Sequence, residues 1–320
     1  MTATQETARA ARRATAPARR PPRRLLPGKR TRFHLLLMTP AILLGVLVLG
    51  YPLYLVISAS LKDIGIMSPS LLATAPTTTQ NYTELGSDPS FTQAIRNSVI
   101  YTVGSTVPAG ILGLLSALLL NQSFRFRRVF RTLILLPWAV PTVVASFLFL
   151  WVLNASYGVL DYILKQLHLI QQYIPWLASP HWALAGVIIP TVWKSYPFFC
   201  LLILAALQTI PKQLYEAASV DGAGAWARFR AVTWPGISPA VYLATVLQAL
   251  WAFREFEVIY PMTTGGPAGS TQTLAIYLYN EAFQFFHLGY ASALGVVTIG
   301  ICLVFVAVAY PRMRRNLSRS

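Results

Sequence analysis

The stretch Glu216-Ala217-Ala218-Ser219-Val220-Asp221-Gly222-Ala223-Gly224-Ala225-Trp226 lies between two long apolar runs and decides how the rest of the chain is read. Lys212 to Val220 holds good helix formers, and Gly222 can take the left-handed conformation that stops a helix. Asp221 can cap a second helix running to about Thr233. Two short helices are therefore expected to meet at a corner. An acid at the C-terminal end of the first helix opposes its dipole, so Asp221 is expected as the N-cap of the second. Ala217, Ala218 and Ala223 keep the corner slim enough to enter a groove on another protein. A tight turn between two membrane spans would use the same residue types.

The flanking runs belong to a membrane protein. At 320 residues the chain could hold about two soluble domains, but 55% hydrophobic and 11% charged residues, with a mean hydropathy of +0.53, point to a bilayer. The net charge of +16 is segregated into loops and tails, as a bilayer demands, which argues against nucleic acid. Residues 1–32 are rich in Ala, Pro and Arg and nearly free of large apolar side chains, so they are expected to be a disordered basic cytoplasmic tail. Their Arg pairs suggest an export signal, but no Ala-x-Ala cleavage site follows and the next apolar run is long enough to span. Cys200 and Cys302 fall inside apolar runs and read as small core residues.

Six spans are predicted, each near the roughly 20 residues that cross about 30 Å of hydrocarbon. They run from about Phe33 to Ser60, Ser98 to Leu120, Thr132 to Asn154, Trp182 to Gln208, Ile237 to Tyr260 and Tyr290 to Tyr310. Pro141 and Pro197 are candidate kinks. The transmembrane domain is expected over 33–311, with its corner loop at about 212–235 and a second basic tail at 312–320. Lys and Arg concentrate in the two tails, in the loop Arg125, Arg127, Arg128, Arg131, and in the corner loop with Lys212, Arg228 and Arg230. The loops of the other side, with the start of span two, hold only Lys62, Arg96 and Lys165. The positive-inside rule then places both termini and the corner in the cytoplasm.

The order Glu-Ala-Ala, three residues, Gly, then Trp234-Pro235 about a dozen residues on resembles the cytoplasmic loop of ABC importer permeases. The match continues through Leu201-Leu202-Ile203-Leu204-Ala205-Ala206-Leu207-Gln208-Thr209-Ile210-Pro211 before it and Phe253 to Thr271 after it, including Thr263-Thr264-Gly265-Gly266-Pro267. It covers about residues 34 to 311 and is similar to the carbohydrate-uptake branch, specifically the maltose-permease-like first subunit. Trp234 departs from the Leu usual in that family, which puts the local packing there in doubt. The resemblance implies an all-α membrane protein of the type I ABC importer permease fold, with six transmembrane helices and a coupling helix. It implies that Glu216, Ala217, Ala218, Asp221, Gly222 and Ala223 couple the chain to ATPase subunits. It also implies the partners: a second, similar permease as a heterodimer, two ATP-binding subunits that hold ATP and Mg, an extracytoplasmic solute-binding protein, and membrane lipid.

Within the spans the chain carries Lys194, Arg254, Glu255 and Glu257. A charge at a helix centre costs about 2.5 to 3.5 kcal/mol on insertion scales, so these residues should face partners or a cavity. Arg254 and Glu257, three apart, are expected as an intrahelical pair, and Lys194 with Glu255 as a looser one. Either they only hold spans four and five together, or they form a polar wall of a transport path with Trp193, Tyr196, Phe198, Trp251 and Phe253 as aromatic surfaces. Aromatic faces stack on the C–H faces of a sugar while carboxylates bind its hydroxyls. The candidate path residues are thus Lys194, Tyr196, Trp251, Arg254, Glu255 and Glu257.

The sequence lacks a phosphate-cradling Gly-x-x-x-x-Gly-Lys-Ser/Thr loop, a Gly-x-Ser-x-Gly elbow and a paired-Cys or His-Glu-x-x-His metal motif. No cofactor, metal or catalytic residue is expected in this chain. His34, His168, His181 and His287 read as interfacial residues. The expected function is a permease subunit of an ATP-driven importer for a sugar, an oligosaccharide or disaccharide. Glycerol phosphate or another polyol is an alternative cargo. A membrane transferase using Glu255, Glu257 or Asp161 as acids or bases, and an ion-coupled carrier, are alternatives of other classes.

Overall fold

The computed structural model describes residues 37–40, 42–65 and 69–317. The basic tail predicted over residues 1–32, and the last residues of the second tail, lie outside them. Eight helices carry the architecture: α1 (Leu37–Ser60), α2 (Pro89–Asn121), α3 (Arg127–Ala139), α4 (Thr142–Val152), α5 (Ala183–Thr209), α6 (Lys212–Val220), α7 (Ala225–Phe253) and α8 (Leu288–Leu317). Short helices lie between them, and the one β feature among the described residues is an isolated bridge between Lys62 and Thr77. Residues up to Tyr54 form a unit of their own, and Leu55 onward form the second. In the first unit, α1 leaves Leu43, Leu47 and Tyr51 exposed, as a helix bathed in hydrocarbon would.

Five helices are long and apolar enough to cross a membrane, and a sixth crossing arises if the bent pair α3–α4 is one span. That pair turns through 97°. The sequence explains where: Val140 precedes a proline, which disfavours the helical region, and it is extended at φ −72°, ψ 130°. The expected kink at Pro141 is thus a break. Pro197 differs, because α5 runs through it uninterrupted.

Two boundaries also differ from the sequence reading. α2 begins at Pro89, well before Ser98, because Asp88 accepts the Ser90 N–H at 2.8 Å as an N-cap and Pro89 needs no amide donor in the first turn. α7 merges the expected second corner helix with the fifth span and ends at Phe253, short of Tyr260.

The core is built on α2 against α5. Glycines let the backbones approach: a Cβ on Gly113 would lie 2.3 Å from the Phe199 Cβ and 2.9 Å from the Tyr196 carbonyl, and one on Gly104 would lie 2.9 Å from Ile188. With no hydrophobic drive between helices in lipid, close van der Waals contact of this kind is the main cohesion. Phe199, Ile203, Leu204 and Ala117 bury themselves along the seam, with Cys200 among them. A second cluster joins Phe149 of α4 to Val187, Val258 and Ile276.

The described residues of the loops away from the corner carry short helices and hydrogen bonds of their own. The segment between α1 and α2 holds helices Pro69–Thr74 and Gln80–Ser87, and Asn81 donates to the Ser60 and Lys62 carbonyls at 3.0 and 2.9 Å. Asp88 accepts the hydroxyls of Tyr277 and Tyr290, tying the start of α2 to the start of α8. In the Gly-Gly-Pro loop, Gly265 (φ 97°) and Gly269 (φ 71°) adopt left-handed backbone, and Asn97 clamps the loop by donating to Gly269 and Gln272 carbonyls. Asp161 is fully buried, accepting the Trp176 indole N–H at 2.7 Å and the Ile174 amide at 2.9 Å. It pins its loop and is unreachable as a catalytic acid.

Candidate functional site

The corner between α6 and α7 is closed by backbone geometry. Gly222 has φ +75°; its N–H reaches the Ser219 carbonyl at 3.1 Å, and Ala223 N–H reaches the Ala218 carbonyl at 2.9 Å. This pair of bonds is a Schellman motif, which satisfies the last carbonyls of α6 and reverses the chain. Asp221 is part of that C-terminal turn, at φ −70°, ψ 1°, and the residue preceding α7 is Gly224. The expectation that Asp221 caps the second helix is therefore corrected: the turn spends three further residues, Gly222 to Gly224, before α7 starts, so its carboxylate bonds no α7 amide.

The two arms are braced against each other. Tyr215 and Thr233 share a hydrogen bond of 3.1 Å between hydroxyls, and Arg228 donates to the Ser219 hydroxyl at 3.2 Å. Trp226 stacks on Phe229 with centroids 5.5 Å apart, and Phe229 packs on Trp234 at 6.2 Å. Trp234 thus joins an aromatic ladder. Glu216, Ala217, Asp221 and Gly222 are exposed, while Ala218 and Ala223 are half-buried. Val220 and Trp226, 89% and 73% exposed, put large apolar surface at the tip. A hollow of about 540 Å³ lies at the base, lined by Thr209, Pro211, Leu214, Val232, Pro235 and Pro239. A braced corner that exposes two large apolar side chains is suited to contact with another protein.

The second site is a cavity of about 140 Å³ between α5, α7 and the α3–α4 break. Lys194, Trp251 and Glu255 line it, together with Trp138, Thr142, Thr191, Ser195, Phe198, Gln248 and Val258. Lys194 donates to the Val140 carbonyl at 2.6 Å, so the break at Pro141 supplies the ammonium with a partner. Phe198 and Trp251 lie 5.0 Å apart, and Gln248 donates to the Ser195 hydroxyl at 2.8 Å across the α5–α7 seam. Thr191 is held by the Tyr101 hydroxyl from α2. One cation, one carboxylate, hydroxyls, an amide and three aromatic side chains make a surface fit for a polar, neutral solute.

The structure brings together half of the predicted path residues. Tyr196, Arg254 and Glu257 do not line the cavity. The Arg254–Glu257 pair is not formed, because α7 stops at Phe253 and residues 254–258 leave the helix, which removes the shared face. Glu255 instead accepts the Val258 N–H at 3.0 Å, and Lys194 takes a carbonyl in place of a carboxylate. Trp193 packs on Phe149 at 5.4 Å. Sequence reasoning missed Gln248, Ser195 and Thr191; the signal available was a set of uncharged polar side chains inside apolar runs. It also missed Tyr215, Ser219 and Arg228 as braces. His287 forms the one ion pair among the described residues, 2.8 Å from Glu281.

Apolar helices long enough to cross a membrane, one broken pair among them, a braced corner and a polar cavity mark a multi-pass membrane protein. The chain belongs to the family of binding-protein-dependent transport system inner membrane components, whose model matches residues 109–317. It is 38% identical over 284 residues to the sulfoquinovosyl glycerol transport system permease protein SmoG of Agrobacterium fabrum, covering 88% of this chain and 90% of that one. It is 37% identical over 229 residues to the trehalose/maltose transport system permease protein MalF of Thermococcus litoralis, covering 72% and 77%. A solved bacterial ABC transporter involved in import of the polysaccharide alginate shares the fold, with a TM-score of 0.75 at 24% identity over 90% of this chain and 96% of that one.

Proposed function

We propose that this chain is the permease subunit of an ATP-driven, binding-protein-dependent importer for a sugar, an oligosaccharide or disaccharide. The observation that carries the reading is α7, one continuous helix from Ala225 at the corner, through a π-helical turn at Phe229–Thr233, to Phe253 beside the cavity. A push on the corner is delivered by it to Gln248 and Trp251. The cavity's mix of aromatic faces and hydroxyl-binding groups suits a carbohydrate better than glycerol phosphate, for which a single lysine already bonded to Val140 offers a poor phosphate clamp. The names of the relatives, a sulfoquinovosyl glycerol and a trehalose/maltose permease, favour the same class.

In this reading both termini and the corner are cytoplasmic, and an extracytoplasmic solute-binding protein delivers the sugar. A second permease completes the path as a heterodimer, and two ATPase subunits that bind ATP and Mg²⁺ receive one corner each. Glu216, Ala217, Ala218, Asp221, Gly222 and Ala223 form the docking tip. Reconstitution in proteoliposomes with the co-purifying subunits tests this. Uptake of a disaccharide such as trehalose or maltose should require ATP in the compartment that faces the corner and the binding protein on the other side. Uptake driven by an ion gradient without ATP would reject the importer reading.

A further inference from the structure

Arg254 was singled out by the sequence and is left unused by the cavity. We infer that it belongs to a binding site for an anionic phospholipid, with one acyl chain in the apolar groove between α2, α7 and α8 and the headgroup phosphate on the Arg254 guanidinium. The groove, of about 240 Å³, is lined by Val99, Val103, Leu250, Phe253, Cys302 and Phe305 among others. It lies on the face of α7 opposite the cavity: Ala249, Leu250 and Phe253 turn away from Gln248 and Trp251 at about 100° per residue. Its rim faces outward, since Val99, Val103 and Phe305 are 49%, 55% and 40% exposed, and Val103 continues into Val107 and Ile111 as an exposed apolar stripe on α2.

Position and charge fix the occupant. Arg254 is exposed and directly follows the groove residue Phe253, at the end of α7 remote from the corner. Its Nε–H donates to the Leu250 carbonyl at 3.3 Å, and no carboxylate lies within ion-pairing distance of the rest of the guanidinium, the one ion pair among the described residues being His287–Glu281. An exposed cation without a carboxylate, at the mouth of a hydrocarbon-lined groove, has the complementarity of a phosphodiester joined to an acyl chain.

The test is native mass spectrometry of the full-length permease, with whatever subunits co-purify, released from nanodiscs of mixed phosphatidylglycerol and phosphatidylcholine. The parent should retain phosphatidylglycerol in preference to phosphatidylcholine. Arg254→Gln should lower that retention about fivefold, the worth of one charge near an anionic headgroup, and Arg254→Lys should restore most of it. Val103→Trp, which fills the groove mouth, should reduce retention of both lipids; if that variant fails to insert, the Arg254 pair decides alone. Equal retention of the two lipids by the parent, or phosphatidylglycerol retention by Arg254→Gln equal to the parent's, overturns the inference. A photo-crosslinker at Val103 that captures a second permease chain overturns it too, since the groove would then be a subunit interface.

Discussion

Replacing Gly222 by valine strains the corner at the one point where its backbone admits no ordinary side chain. Gly222 sits at φ +75°, and a Cβ built there meets nothing within 4 Å, so the penalty is conformational rather than a clash inside the chain. Left-handed backbone costs an L-residue roughly 1–2 kcal/mol, and a β-branched side chain lies at the upper end. If the turn relaxes to avoid this, the Gly222–Ser219 and Ala223–Ala218 bonds open, at about 0.5–1.5 kcal/mol each. Either route shifts the population of the closed corner by a factor of about 5–30 or more. Valine also adds bulk to the exposed tip. The assay is substrate-stimulated ATP hydrolysis in proteoliposomes, normalised to assembled complex. Gly222→Val should insert normally and lose most of the stimulation. Gly222→Asn, which tolerates the left-handed region, should retain more. Gly224→Ala is the control, because Gly224 has φ −67° and open space around it. Parental coupling in Gly222→Val at full assembly would refute the docking role of this corner.

Asp221→Ala should change thermal stability by no more than about 0.5 kcal/mol, as for an exposed side chain that caps nothing; detergent melting curves check this. Glu255→Gln should reduce uptake at normal expression while Glu257→Gln leaves it near the parent's, because only Glu255 lines the cavity; equal effects of the two would remove the cavity from the path. Gly113→Leu should abolish folding or insertion, since even a Cβ would lie 2.3 Å from the Phe199 Cβ; trypsin sensitivity of the membrane fraction is the readout. Burial pushes the Asp88 carboxyl up, but hydrogen bonds from Tyr277, Tyr290 and Ser90 outweigh it, so the group is held below its ordinary 3.8. A depressed acid contributes stability above its unfolded value and loses it as pH falls through the folded one. Asp88→Asn should therefore melt below the parent at neutral pH, with the gap closing in the acid range beneath about 3.9.

Hydropathy, the Lys and Arg distribution and the residues around Gly222 were enough to read the helical membrane class, the spans and the left-handed stop, because each depends on short-range chemistry. What failed depended on where helices end. The pairing of Arg254 with Glu257 assumed that apolar composition up to Tyr260 means helix. The chain instead unwinds after Phe253, and Glu255 uses its carboxylate to bind the Val258 amide of the unwound stretch. Asp221 was assigned to the wrong helix because an Asp before a helical run is a good cap in general; here the Schellman turn consumed it. The partner of Lys194 was illegible for a different reason. It is a backbone carbonyl freed by the break at Pro141, 54 residues away, and a freed carbonyl leaves no mark in composition.

The same freed backbone explains how polar groups survive in the spans. Lys194 lies in a helix whose neighbours are apolar, yet its ammonium reaches the Val140 carbonyl, which lacks a helical partner because Val140 precedes Pro141 and is extended. The cost of an intramembrane charge and the cost of an unsatisfied carbonyl are thereby offset against each other. Gln248 and Ser195 do the same across the α5–α7 seam. The two contacts tie α5 to α7, which continues to the corner, and to the break between α3 and α4. In the proposed function, displacing the corner loads the Gln248–Ser195 bond through α7. That bond has the modest net strength of a neutral pair, about 1 kcal/mol, so it can open within the energy of a transport cycle, whereas the glycine-lined α2–α5 contact stays closed.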